Sequence, residues 1–155
     1  MTSLDRTTPM RRALAIALLL FAGSAAAHVS ITPRQSQQGA TEKYVVRIPT
    51  EGNVATVAAE LEAPAGVIIE TLQKPDGWTQ EVKRADDRIV SIVWTADVKP
   101  GEFIEVAFVA RNPRQGTEIV WTLRQRFADG TVTDWTNGPN GVRPTARTTL
   151  TPRPQ

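Results

Sequence analysis

From Val54 onward the chain is built of short runs rich in Val, Ile, Thr and aromatic residues, and none of them carries an apolar 3.6-residue stripe of helical length. Two runs alternate with period two. Ile104, Val106, Phe108 and Ala110 fall on one face, and Ile119, Trp121, Leu123 and Phe127 on another. Successive strand side chains point to opposite sides of a sheet, so each run must bury one face against a second sheet. The expected fold is all-β, an antiparallel β-sandwich. Strands are predicted at 28–32, 42–48, 55–62, 67–72, 79–84, 88–94, 102–110, 118–127, 131–135 and 147–150. Turn chemistry separates them: Pro75-Asp76-Gly77, Pro100-Gly101, Asp129-Gly130 and Asn137-Gly138. Asp86-Asp87 reads as the polar tip of another hairpin, with a turn and not paired-carboxylate catalysis as its expected role.

The first 27 residues read as an address. Arg6, Arg11 and Arg12 precede the apolar run Ala13 to Phe21, and Ala25-Ala26-Ala27 supplies small residues for cleavage. The run is shorter than the roughly 20 residues a bilayer span needs, which favours a cleaved secretory signal over an anchor. Arg11-Arg12 leaves twin-arginine export open beside general secretion. The expected organisation is a signal peptide over 1–27, one sandwich domain over 28–150 and a disordered tail over 151–155. The mature product is expected in the periplasm or outside the cell, with no membrane anchor after cleavage.

Composition then removes whole classes of chemistry. The chain has no Cys, and both methionines, Met1 and Met10, lie in the leader. Residues 28–155 therefore contain no sulfur, which excludes disulfides, thiolate zinc, iron–sulfur clusters, thiol nucleophiles and soft sites for Cu(I). The sequence pI of about 9.4 comes largely from the leader: residues 28–155 hold fifteen basic and fifteen acidic side chains. No basic block with interleaved aromatics survives, so no nucleic-acid partner is expected.

The single histidine of the chain, His28, would become the first residue after cleavage. A free α-amine and the Nδ1 of the same histidine can close a chelate ring on one ion, whereas an internal histidine offers only an amide nitrogen. The amine ordinarily titrates near 8 and imidazole near 6.5, so a strongly binding metal can displace both protons at neutral pH. Two nitrogens completed by oxygen favour Cu(II), and the Irving–Williams order ranks copper first among the divalent ions competing for them. Reduction to Cu(I) is expected to weaken binding. On this feature alone, a histidine left at the junction by chance is an equal alternative.

Further residues extend the pattern: Ala27-His28-Val29-Ser30-Ile31-Thr32-Pro33, Gly39-Ala40, Tyr44, Arg47-Ile48-Pro49-Thr50-Glu51, Thr56, Pro75-Asp76-Gly77-Trp78, Trp94, Pro100-Gly101-Glu102-Phe103, Trp121, Asp129-Gly130 and Trp135. Together they resemble the YcnI-type copper-binding domain of bacterial exported proteins, over nearly all of the chain past the leader. The resemblance implies a cupredoxin-like or immunoglobulin-like sandwich that binds Cu(II) through a monohistidine brace. The matching positions are His28, by amine and imidazole, Glu51, by its carboxylate, and Trp135, whose indole would lie against the ion. Indole has no σ-donating lone pair, so shielding and electronic tuning are the roles expected of it. Family members that end in a membrane-anchoring helix differ from this chain, whose C-terminus is polar.

Taken alone, Glu51 before Gly52 reads as a solvated turn carboxylate, and Trp135 reads as core, like Trp78, Trp94 and Trp121. Asp134 and Glu42 have no pattern behind them. Catalysis is not expected. A copper oxygenase brace needs a second histidine, and a hydrolase without His or Cys would need a Ser-x-x-Lys arrangement that is missing from the chain. Two readings remain: a copper-trafficking protein whose partners are the copper ion and a membrane copper transporter or another periplasmic copper protein, or a metal-free immunoglobulin-like module for protein–protein contact.

Overall fold

The computed structural model describes residues 28–137 and 143–154. The leader expected over 1–27, Gly138 of the Asn137-Gly138 turn and the final Gln155 lie outside the described residues. Within them the chain forms twelve strands: β1 (Ser30–Thr32), β2 (Gln35–Gln37), β3 (Thr41–Pro49), β4 (Thr56–Glu62), β5 (Ile68–Leu72), β6 (Thr79–Ala85), β7 (Arg88–Val98), β8 (Phe103–Arg111), β9 (Glu118–Trp121), β10 (Leu123–Phe127), β11 (Val132–Trp135) and β12 (Ala146–Thr151). They make a four-stranded sheet in the order β1-β3-β8-β5, a five-stranded sheet β11-β10-β4-β7-β6 and a three-stranded sheet β2-β12-β9. Every pairing is antiparallel except β2 with β12.

The inward faces of the three sheets share one core. Tyr44, Val46, Ile48, Val106, Phe108 and Ala110 enter from the four-stranded sheet, Leu61, Ile92, Trp94 and Leu123 from the five-stranded sheet, and Ile119, Trp121 and Leu150 from the third. Each Val, Leu, Ile or Phe among them contributes about 1.5–3 kcal/mol when fully withdrawn from water. Trp121 packs on Tyr44 with ring centroids 4.7 Å apart, and Phe108 lies 5.7 Å from each. Trp94 and Trp121 are core residues, as read from the sequence, and Trp78 is half-buried at the edge of the same cluster.

Turn signals fall where expected. Gly77, Gly101 and Gly130 adopt φ of 75°, 82° and 85° in the connections between β5 and β6, β7 and β8, and β10 and β11. Asp86 and Asp87, at φ 47° and 62°, form the tip of the β6–β7 hairpin.

Three expectations are corrected. The single strand at 118–127 divides at Thr122: β9 pairs with β12, whereas β10 pairs with β4 and β11, so one extended run changes sheets without a turn. Strand β2 was not expected. Its polar sequence buries only Ser36 and is held by the backbone pairing of Gln35, Ser36 and Gln37 with Thr149, Leu150 and Thr151. That pairing also moves Thr151 out of the tail and into β12. Phe127 is half-buried, not core, because the β10–β4 register shifts between Arg126 and Phe127 and breaks the alternation.

Candidate functional site

Strand register brings His28 to the end of β3. Ser30 lies opposite Arg47 in the antiparallel β1–β3 pair, so continuing two residues back sets His28 beside Pro49. Beyond Pro49 the chain leaves the sheet through Thr50 and Glu51. Thr50 is almost fully buried and is fixed on both sides: its N–H donates to Glu102 O at 2.9 Å, its carbonyl accepts from Gly101 N at 3.1 Å, and its hydroxyl donates to Val98 O at 2.9 Å. Glu51, the next residue, is exposed, and Gly52 follows at φ 79°, a left-handed conformation that glycine adopts without steric cost. An exposed carboxylate is thus carried on a rigid root.

The opposite wall comes from the five-stranded sheet. In the β10–β11 pair Leu123 faces Trp135 and Gln125 faces Thr133, and all four side chains are buried. The edge strand β11 delivers Trp135 to the mouth of the sandwich, where its ring centroid lies 5.8 Å from that of His28 at an interplanar angle of 64°. The contact is edge-to-face.

Between these walls is a cleft of about 550 Å³, lined by His28, Pro49, Glu51, Gln125, Phe127, Val132, Trp135 and Arg143, among others. All three residues singled out in the sequence line it. Asp134 and Glu42 do not: Asp134 pairs with Arg124 at 2.8 Å, and Glu42 accepts from Ser36 Oγ at 2.8 Å. The ionisable side chains of the cleft are His28, Glu51 and Arg143. Among the described residues no three His, Cys, Asp or Glu side chains gather into a group that could hold a metal ion. An ion at this place would need a donor beyond the His28 and Glu51 side chains, and the α-amine that cleavage after Ala27 would free on His28 could be one. With it, nitrogen, nitrogen and carboxylate oxygen make a borderline-to-hard set that fits Cu(II).

Two residues of the cleft escaped the sequence reading. Arg143 had no local signal. Gln125 had one, because it occupies the inward position between Leu123 and Phe127 where a buried carboxamide is costly unless fully hydrogen-bonded. It is fully bonded: Nε2 donates to Pro49 O at 2.8 Å and to Thr56 Oγ1 at 2.7 Å, and Oε1 accepts from Trp135 Nε1 at 3.0 Å. The indole N–H is therefore already taken by Gln125, and Trp135 meets His28 ring to ring.

An all-β sandwich of three sheets around one core, with this cleft at one end, is a domain of immunoglobulin-like architecture. The solved structure of an uncharacterised protein from Nocardia farcinica, described as immunoglobulin-like, matches it with a TM-score of 0.68 at 30% identity, covering 79% of this chain and 97% of that one. A cohesin module from a family 33 glycoside hydrolase of Clostridium perfringens ATCC13124 matches with a TM-score of 0.51 at 13% identity, covering 81% and 98%, a likeness of fold alone. Residues 28–155 match the family described as a domain of unknown function, DUF1775. The copper-binding protein CutI of Bacillus subtilis (strain 168) is 33% identical over 137 residues, 86% of this chain and 67% of that protein. The chain belongs to this family, the YcnI family.

Proposed function

We propose that this chain is an exported copper-binding protein that carries Cu(II) as cargo after cleavage behind Ala27. His28 supplies its new α-amine and its imidazole, Glu51 supplies a carboxylate oxygen, and the ring of Trp135 shields one side of the ion from water. The role is trafficking or homeostasis in the periplasm or outside the cell, without catalysis, and the ion passes to or from a membrane copper transporter or another periplasmic copper protein. The observation that carries the reading is that His28, Glu51 and Trp135, from three separate parts of the chain, line one cleft. The copper binding named for the CutI relative supports it.

The brace makes binding depend on processing. The mature protein beginning at His28 is expected to take up one equivalent of Cu(II) in a calorimetric titration. A variant with one residue added before His28 has an amide in place of the amine and is expected to lose tight binding. Equal affinity in the two forms would sink the brace, and no uptake by the mature form would sink copper binding itself.

A further inference from the structure

We propose that Gln125 is the positioning residue of the copper cleft, setting the distance between the wall that carries Trp135 and the wall that carries His28 and Glu51. The inference deepens the copper-binding reading and rests on it.

Gln125 is 1% exposed and stands on β10 of the five-stranded sheet. Its Nε2 bonds the carbonyl of Pro49, the last residue of β3 in the facing sheet, while its Oε1 bonds the indole of Trp135 on β11. Its orientation is forced, since indole can only donate and a carbonyl can only accept. Of the uncharged side chains, only a carboxamide can give two protons and accept one at once, as Gln125 does toward Pro49, Thr56 and Trp135.

The bonding continues into the root of Glu51. The second proton of Nε2 goes to Thr56 Oγ1, and the hydroxyls of Thr56 and Thr50 lie 2.7 Å apart. Each hydroxyl has one proton to give. That of Thr50 goes to Val98 O, so Thr56 supplies the one between the hydroxyls. A continuous chain of donors thus runs from the carboxamide that holds Trp135 to the residue immediately before Glu51. Gln125, Thr50 and Thr56 are all buried, in surroundings where hydrogen bonds hold geometry strongly because water does not compete. Trp135 and Glu51 are therefore not independent: one polar strut fixes both, and a shift at either end moves the other.

Thr56 provides the cleanest test, because it is 2% exposed and does not line the cleft. Thr56→Val keeps the shape but takes away the acceptor of one Gln125 proton and the donor to Thr50. In the mature protein this variant is expected to move the indole N–H resonance of Trp135, identified by its disappearance in Trp135→Phe. It is also expected to alter the Cu(II) electron paramagnetic resonance spectrum. Gln125→Met is expected to expose that N–H to faster solvent exchange and to lower Cu(II) affinity about tenfold or more, the usual effect of losing a partner that orients a ligand. Combined with Trp135→Phe, its effect on affinity should be less than additive, since the two share one bond. If both variants lower thermal stability but leave the indole resonance, the copper spectrum and the affinity as in wild type, the network only holds the fold and the proposal is wrong. If the wild-type mature protein takes up no Cu(II), the copper reading fails instead, and the indole resonance in Thr56→Val alone decides whether the strut positions Trp135.

Discussion

Glu51 and Thr50 are neighbours in sequence with opposite duties. Thr50 is buried and bonded through its backbone and its side chain, whereas Glu51 projects into solvent at the cleft. Substitutions at the two positions should therefore separate binding from stability. Glu51→Gln exchanges an anionic donor for a neutral one of the same shape. The metal-free protein should keep its stability to within about 0.5 kcal/mol, as exposed positions do. Its Cu(II) affinity should fall, and its resonance spectrum should change with the lost charge. Thr50→Val should act the other way round, leaving Val98 O and Thr56 without their partner at a cost of about 1–3 kcal/mol. Calorimetry and thermal melting of both variants check the division, and a Glu51→Gln protein with wild-type affinity would make that carboxylate a surface turn residue.

At the scale of the element, the β6–β7 hairpin carries a local conflict. Asp86 and Asp87 both take positive φ, which a two-residue loop between right-twisted strands demands. Asp tolerates this region less well than Asn or Gly. Replacing the pair by Asn-Gly is expected to raise stability by about 0.5–1 kcal/mol, read as a higher melting temperature with unchanged Cu(II) binding; no gain would mean that the aspartates make compensating contacts. This hairpin was legible because polar turn residues separate two runs of strand-forming residues, and β8 was legible from the alternation of Ile104, Val106, Phe108 and Ala110. The crossing at Thr122 was not legible, since a strand that changes sheets keeps its period and needs no turn residue. Nor was β2, whose pairing is written in the backbone and not in apolar side chains. The site was legible in uneven parts. His28 announced itself by its place at the expected junction, while Glu51 and Trp135 entered through resemblance to a family, because nothing local distinguishes a loop glutamate or a buried indole as a site residue. Gln125 was written openly, as a polar residue on an apolar face, and its meaning needed the facing sheet.

Across the whole molecule, β3 connects two buried polar networks, one at each end of the sandwich. Gln125 and Thr56 meet its Pro49 end. Nearer the other end, Tyr44 donates to Asn112 Oδ1 at 2.6 Å, and Asn112 in turn donates to Ser36 Oγ at 2.9 Å and Gln37 O at 2.8 Å, tying β3 and β8 to β2. Tyr44 is fully buried. Burial pushes its hydroxyl up from 10 to about 12, with the negative charge of Glu42 adding to the rise and the bond to Asn112 opposing it. The folded chain therefore keeps this proton at a pH where the unfolded chain gives it up. The associated stability is complete below pH 10 and is lost as pH rises from about 10 toward about 12, a loss on the order of 2–3 kcal/mol. Tyr44 is the sole tyrosine of the chain, so absorbance of the phenolate reports it alone: titration of the folded protein should have its midpoint near 12, and in denaturant near 10. Denaturant unfolding at a series of pH values should show the decline in wild type. Tyr44→Phe should be less stable than wild type at neutral pH, and the gap should narrow as pH climbs through this window. A phenolate midpoint near 10 in the folded protein would mean that water reaches the ring, and the core would then be looser around β3 than its packing against Trp121 and Phe108 implies.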